Sequence, residues 1–422
     1  MNKPILKRVY YALKVELASP LCASNGNDEN TDRDILINAN GDYFLQGTSI
    51  AGALRNRIDA KNRKILAGYS EGENGKMSSL FVSDMIFTDN VIKSVRDGVA
   101  LNEGKQVNNK FDMEILVTGA RGFMFLNYVL RDEDGPSFEK LLAELVSGIN
   151  DGTIRFGANK NRGFGKFKVK ECYRREFGCE NVDEYINFDS KDINNYRGFE
   201  FNIEDISSEI PFGNMVRICV PLKLNGGISI RRYSARPNEA DYEHITVGRG
   251  KVAKPVIPGS SWNGAIRSDI RAILLELKAK DPGICVNTWF GTSEVGKECQ
   301  SQVVISESII ENSKALKMTR NKINRFDAST TDGALYTEKS YFGGTTELEI
   351  LVRKDSQNAY EACIGALLIA IKNIQKGYVA IGGQTAVGRG IFSENGEIKL
   401  SENNEETYLR ALYDYLEQEK SK

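Results

Sequence analysis

Residues 154–168 read I-R-F-G-A-N-K-N-R-G-F-G-K-F-K, with Gly157, Gly163 and Gly165 flanking Lys160 and Arg162 and a β-like run following at 167–169. Glycine permits positive φ and close approach of another backbone, so the stretch reads as a loop pressed against a ligand or a neighbouring strand. Its spacing returns: Gly382, Gly388 and Gly390 in A-I-G-G-Q-T-A-V-G-R-G-I-F each stand 225 residues beyond their counterparts. The chain is one unit written twice.

Working outward, the other landmarks recur in order. An alternating run at 9–17 suits a strand, and a polar segment at 19–34 suits a loop. L-Q-G-T-S-I-A-G-A-L-R-N-R-I at 45–58 opens a helix, with Thr48 or Ser49 as N-cap; I-P-G-S-S-W-N-G-A-I-R-S-D-I at 257–270 repeats it at an offset of 212. S-L-F-V-S-D at 79–84 answers Q-V-V-I-S-E at 302–307, and E-I-L-V at 114–117 recurs letter for letter at 349–352. Before the first glycine loop, Phe138, Leu141, Leu142, Leu145, Val146 and Ile149 form a helical stripe, and all six positions 225 residues on are apolar. Each copy therefore reads strand, helix, strand, polar excursion, strand, helix, strand. That is the β-α-β-β-α-β order of a ferredoxin-like domain, giving an α+β class with two tandem ferredoxin-like (RRM-like) domains. The expected boundaries are 1–178 for the first domain, 179–212 for a polar linker, 213–398 for the second domain and 399–422 for a terminal helix or tail.

Composition narrows the chemistry. At 422 residues and 41% hydrophobic content, two domains with ordinary cores are expected. A net charge of −1 excludes a chain that is basic throughout but leaves room for a local positive face. Seven cysteines without a C-x-x-C pair, and no apolar leader, point to free thiols in a reducing cytoplasm; no apolar run is long enough to span a membrane. His244 is the only histidine, which removes most zinc sites, Ser-His-Asp triads and two-histidine ribonuclease chemistry. Any acid-base or metal group must then be a carboxylate, a lysine or a tyrosine.

Four features can carry function. The glycine loops lack the ending of a P-loop and lead into a strand rather than a helix, so neither mononucleotide nor dinucleotide motifs apply. They either present N–H groups with Lys160 and Arg162, or Arg389, to a phosphodiester chain, or form tight hairpins packed on their own helices. The two helix starts offer an anion site, with Ser49 and Ser261 as hydroxyl donors and Arg55 and Arg267 two turns in; capped core helices with solvated arginines are the alternative. The excursions at 96–105 and 319–336, the latter carrying Arg320 and Arg325, suit flexible hairpins along a charged partner or plain solvated loops. Asp32 and Asp34, with Asp241 and Glu243 in the equivalent place beside His244, are candidates to hold a metal or orient a ribose hydroxyl, although solvated loop acids look the same in sequence.

The pairing of I-P-G-S-S-W-N-G-A-I-R with G-G-Q-T-A-V-G-R-G-I-F resembles the RAMP superfamily, the RNA-binding proteins of CRISPR systems. W-F-G-T at 289–292, V-V-I-S-E and N-R-F-D-A-S-T-T-D-G-A-L-Y at 324–336 resemble backbone subunits of type III effector complexes, and the tandem plan is similar to the double backbone subunits of type III-D-like complexes. The resemblance implies cores that stack along a guide RNA (crRNA). Its phosphates would be bound by the glycine loops, Gly383 included, and the helix starts, and a thumb at about 319–341 would wedge between guide and target RNA. It also implies cleavage of target RNA by a loop aspartate with a divalent metal, Mg or Mn. Asp32 is placed there by D-x-x-[VI]-x-x-[DN], with Asp34 second; Asp241, with Glu243 second, is the choice in copy two, where the register is open. Copy one departs in carrying Gln46 where the pattern has proline and in its shorter excursion. RNA can cleave itself when its 2′-hydroxyl attacks in line, so a protein that splays the nucleotide and stabilises charge needs no histidine. Three expectations follow: a type III effector subunit with endoribonuclease activity, partnered by other effector subunits; a non-catalytic scaffold of the same complex; and a stand-alone endoribonuclease processing guide precursors.

Overall fold

The computed structural model describes residues 4–421 apart from 25, 27–30, 72–73, 102–106, 132–137, 204–213, 234–239, 249–252 and 332. The chain divides into two compact units, Met1–Lys160 with Phe164–Gly213, and Asn161–Gly163 with Asn214–Lys422. Both are mixed α+β with antiparallel sheets.

The first unit contains β1 (Lys7–Leu17), α1 (Gly47–Arg55), β2 (Leu80–Val82), β3 (Lys93–Leu101), β4 (Val107–Leu116), β5 (Arg121–Leu130), α2 (Phe138–Asp151) and β6 (Phe167–Phe177). β1 lies between β6 and β5, and β2 pairs with the other side of β5, all antiparallel. Being central, β1 buries both faces: Tyr11, Leu13, Val15 and Leu17 meet the helices, while Tyr10 and Ala12 face the opposite side. The α2 stripe from Phe138 to Ile149 is buried as its spacing requires.

The opposite face of that sheet is covered by the stretch expected to be a linker. Tyr196 is fully buried against Tyr10, Ala12 and Phe177, with Tyr185, Phe188 and Ile193 packed around it, and the Arg175 guanidinium lies 4.0 Å from the centroid of Phe199. Residues 179–203 therefore belong to the first unit; 204–213 lie outside the described residues. Average polarity hid three aromatic side chains, Tyr185, Phe188 and Tyr196, whose packing on the sheet outweighs it.

The second unit contains β7 (Met215–Asn225), β8 (Tyr242–His244), α3 (Gly259–Glu276), α4 (Pro282–Phe290), β9 (Val303–Ile305), β10 (Lys314–Arg320), β11 (Tyr336–Phe342), β12 (Thr345–Arg353), α5 (Tyr360–Gln375), β13 (Ile391–Glu394) and α6 (Glu405–Ser421). β7 lies between β12 and β13, and β9 pairs with the far side of β12. This is the order of the first sheet. Trp262 and Trp289 are fully buried in its core, their indole N–H groups donating to Ser308 Oγ at 2.7 Å and the Asn358 carbonyl at 3.2 Å. The expected tail is part of this unit: Lys399–Leu400 pairs with β7, and α6 packs Tyr408 and Leu412 against α5 at Gly365, where a Cβ would strike the Tyr408 carbonyl.

Each excursion is an antiparallel hairpin. In the first unit it spans β3 and β4, so E-I-L-V at 114–117 sits in the hairpin, whereas E-I-L-V at 349–352 lies in the central strand β12. The true counterpart of β12 is β5, which takes the same place in its sheet. The letter match was coincidence, since apolar alternation serves both strand types. Residues 102–105 of the expected copy-one excursion lie outside the described residues.

Candidate nucleic-acid interface

The glycine loops are built alike, bond for bond. In the first, the Phe156 N–H donates to the Gly165 carbonyl at 3.0 Å, the Gly165 N–H to Pro20 at 2.8 Å and the Ala158 N–H to Cys22 at 2.8 Å. In the second, Ile381 donates to Gly390, Gly390 to Gly227 and Gly383 to Ser229, each at 2.8 Å. A Cβ on Gly165 would strike the Phe156 carbonyl, and one on Gly390 the Ile381 carbonyl; their φ values are +73° and +71°. Gly157, Gly163, Gly382 and Gly388 also have positive φ, as do Asn159 and Gln384, which no residue pattern singles out. A single 3₁₀ turn crests each loop, Lys160–Arg162 and Thr385–Val387, with Lys160, Arg162 and Thr385 exposed. Several loop N–H groups are already used: those of Val387, Gly388 and Arg389 all donate within the turn. The first crest presents positive charge from Lys160 and Arg162; the second, Thr-Ala-Val, carries none, and Arg389 follows it half-buried.

The helix starts differ from expectation. α1 begins at Gly47, with Gln46 rather than Thr48 or Ser49 at the N-cap and no side-chain cap on it. Glycine is required because a Cβ there would lie 2.8 Å from the Val82 carbonyl at the end of β2, and Asp84, just beyond, accepts the Gly47 N–H at 2.7 Å. That amide is thus filled by the protein's own carboxylate. Ser49 and Arg55 are exposed on α1. In α3 the N-cap is Pro258, Ser261 is half-buried, and Arg267 is committed to the Gly291 carbonyl at 3.2 Å and Asn287 Oδ1 at 2.7 Å. Burial, chiefly, lowers the Arg267 pKa, with neighbouring arginine charges adding to it.

The aspartates fall into register. Asp32 accepts the Asp112 N–H at 2.9 Å, and Asp112 accepts the Asp32 N–H at 3.0 Å. Asp241 accepts the Thr337 N–H at 2.6 Å, and Thr337 Oγ1 accepts the Asp241 N–H at 3.0 Å. In both units the exposed aspartate exchanges hydrogen bonds with a residue of the hairpin strand, β4 or β11, so Asp32 and Asp241 are structural equivalents. The Thr337 N–H and hydroxyl hold the Asp241 pKa below its usual range. The second choices have other tasks. Asp34 is buried and accepts the Thr31 N–H and hydroxyl at 2.9 Å each, while Glu243 lies 3.5 Å from Arg232 and 3.6 Å from Lys339. Among the described residues no group of three or more His, Cys, Asp or Glu side chains could by itself hold a metal ion.

His244 is a core residue. Its Nδ1 accepts the Ile230 N–H at 3.0 Å, which leaves the proton on Nε2, 3.0 Å from the Val256 carbonyl. Burial brings its pKa down to about 4.

Between β10 and β11 the second hairpin carries Arg320 at its base and the exposed Arg325 at its tip. An Ile323–Thr330 bridge and the turn around 325–327 present Phe326, 99% exposed. An isolated aromatic in a basic loop was the available signal for it. At the hairpin base Glu338 is fully buried and engages Arg231 and Gln384. Burial would raise its pKa; bonds from Ser340 and Gln384 and the charges of Arg231 and Arg320 bring the net shift below the usual value.

A family model described as RAMP superfamily matches residues 14–168 and 242–393, one stretch in each unit and more than half of the chain. The chain belongs to the RAMP superfamily, the RNA-binding proteins of CRISPR systems. No curated protein matches it. Among the described residues no helix is long and apolar enough to cross a membrane.

Proposed function

We propose that the chain is a guide-RNA-binding backbone subunit of a type III effector complex, working in the cytoplasm with other effector subunits, and that its two units bind guide RNA and face target RNA. One observation carries this reading: the same three loop hydrogen bonds and the same aspartate-to-hairpin exchange occur in both units. The common strand order, β6-β1-β5-β2 and β13-β7-β12-β9, supports a ferredoxin-like, RRM-like assignment for each. Lys160, Arg162 and Arg389 are the loop cations for phosphates, and Arg55, Arg320 and Arg325 extend the basic surface.

Target cleavage is proposed at Asp32 and Asp241. Asp32, with Asp112 bonded to it, and Asp241 are the residues that would hold a divalent ion such as Mg or Mn. One or two carboxylates suit such an ion when phosphate oxygens and water complete its shell. Held there, such an ion would supply charge stabilisation at a scissile phosphate. The protein's part is to hold each carboxylate rigidly through its hairpin strand and to orient the RNA so that the 2′-hydroxyl attacks in line. Exposure of both aspartates favours this over a purely internal role. A scaffold without catalysis is the second reading, favoured in the second unit by Thr337 standing where the first has Asp112. The burial of His244 removes the sole histidine from processing chemistry.

D32A and D241A, separately and together in the assembled complex, test the assignment. Each single variant should lose its own target cut while guide RNA stays bound; cutting at every site by the double variant refutes catalysis.

A further inference from the structure

Glu338 is a buried carboxylate that the proposed chemistry does not use. It lies on β11 at the base of the second hairpin and accepts from Gln384 Nε2 at 2.6 Å, from Arg231 Nη2 at 3.1 Å, and from Ser340 Oγ at still closer range. Gln384 is where the second glycine loop turns. Its φ is +58°, one residue after Gly383 is pinned to Ser229 and immediately before the Thr385–Val387 crest. Glutamine seldom adopts this backbone, and the Glu338 carboxylate supplies a bond that favours it. The far end of the loop is tied to the same hairpin, where the Arg389 guanidinium lies 4.5 Å from the Phe342 ring centroid.

The first unit joins the same parts by other means. Asn159, at the position of Gln384, has φ +55° and donates to Met113 Sδ of β4 at 3.4 Å. Arg96 of β3 lies 5.5 Å from the ring of Phe164, which occupies the place of Arg389. Cation and aromatic have changed sides between loop and hairpin, yet the connection persists. That two different residue sets make one connection argues that the connection itself matters.

The geometry points to a latch: Glu338 is a positioning residue that sets the second glycine loop from the base of the hairpin, making loop and hairpin one rigid RNA-gripping arrangement. The inference rests on the RNA-binding reading above. It places Glu338 in contact with Gln384, not with RNA.

The test uses the full-length protein and a fluorescent single-stranded RNA oligonucleotide, with affinity read by anisotropy across a salt series. E338A and Q384N should each weaken binding by about tenfold, the scale of a lost charge-assisted bond. The double variant should be no weaker than the weaker single, because both remove one shared bond. The slope of log affinity against log salt should stay unchanged, since no phosphate contact is lost. Asparagine tolerates the left-handed backbone but is one methylene short, so Q384N should bind more weakly while its thermal unfolding matches the parent. If E338A proves unable to fold, Q384N decides alone. Binding by the parent that Q384N leaves untouched, or single losses that multiply in the double variant, overturns the latch. Failure of the parent to bind RNA overturns the RNA reading and the latch with it.

Discussion

His244 is neutral in the folded protein because its ring is buried with Nδ1 accepting from Ile230, and its pKa is about 4 against an unperturbed 6.5. The unfolded chain therefore takes up a proton as pH falls through 6.5, while the folded chain resists until about 4. Stability should fall across that window, by about 3 kcal/mol in full, and level off below it. Urea titrations of the parent and H244N between pH 7 and 4 check this. The substitution should flatten the pH dependence, and parallel curves would show that another group is responsible. Residue identity made some of the site legible and hid the rest. The glycines stood out because positive φ restricts the choice of residue, as at Gly165 and Gly390. Glu338 did not, because an acid on an alternating strand reads as a surface residue until the fold buries it.

The hairpin formed by β10 and β11 carries Phe326 exposed beside Arg325 in its loop. A side chain of this kind has little to gain within the protein and much to gain by stacking on a base. F326A should leave guide affinity nearly unchanged and slow target cleavage by about tenfold, the scale of one lost base–aromatic stack. Rates from the assembled complex decide it; a variant that cuts at the parental rate would rule out the wedge. At this scale the sequence was informative where periodicity was strong, as in α2, and where a repeat could be checked against its partner. It misled at E-I-L-V, where one pattern served a hairpin strand and a core strand, and at 179–203, where polar neighbours masked Tyr185, Phe188 and Tyr196. The N-cap was misplaced because Asp84, distant in sequence, does the work expected of Thr48 or Ser49.

For the whole molecule, duplication was the most legible fact, since matching offsets in glycine loops and helices need no structural knowledge to detect. Asp32 and Asp241 were the first choices in equivalent places, but with loops of different length the register stayed open; their matching bonds to Asp112 and Thr337 align them. Two like platforms on one chain should hold different segments of one RNA strand. Lys160 and Thr385 occupy matching exposed positions on the two loop crests, so K160E and T385E set a negative charge against phosphate at one platform each. Nuclease footprinting of guide RNA in complexes carrying either variant is the direct measurement. Each variant should open a separate protected segment, the two lying side by side on the strand; loss of the same segment in both, or of none, would contradict a chain that grips RNA twice.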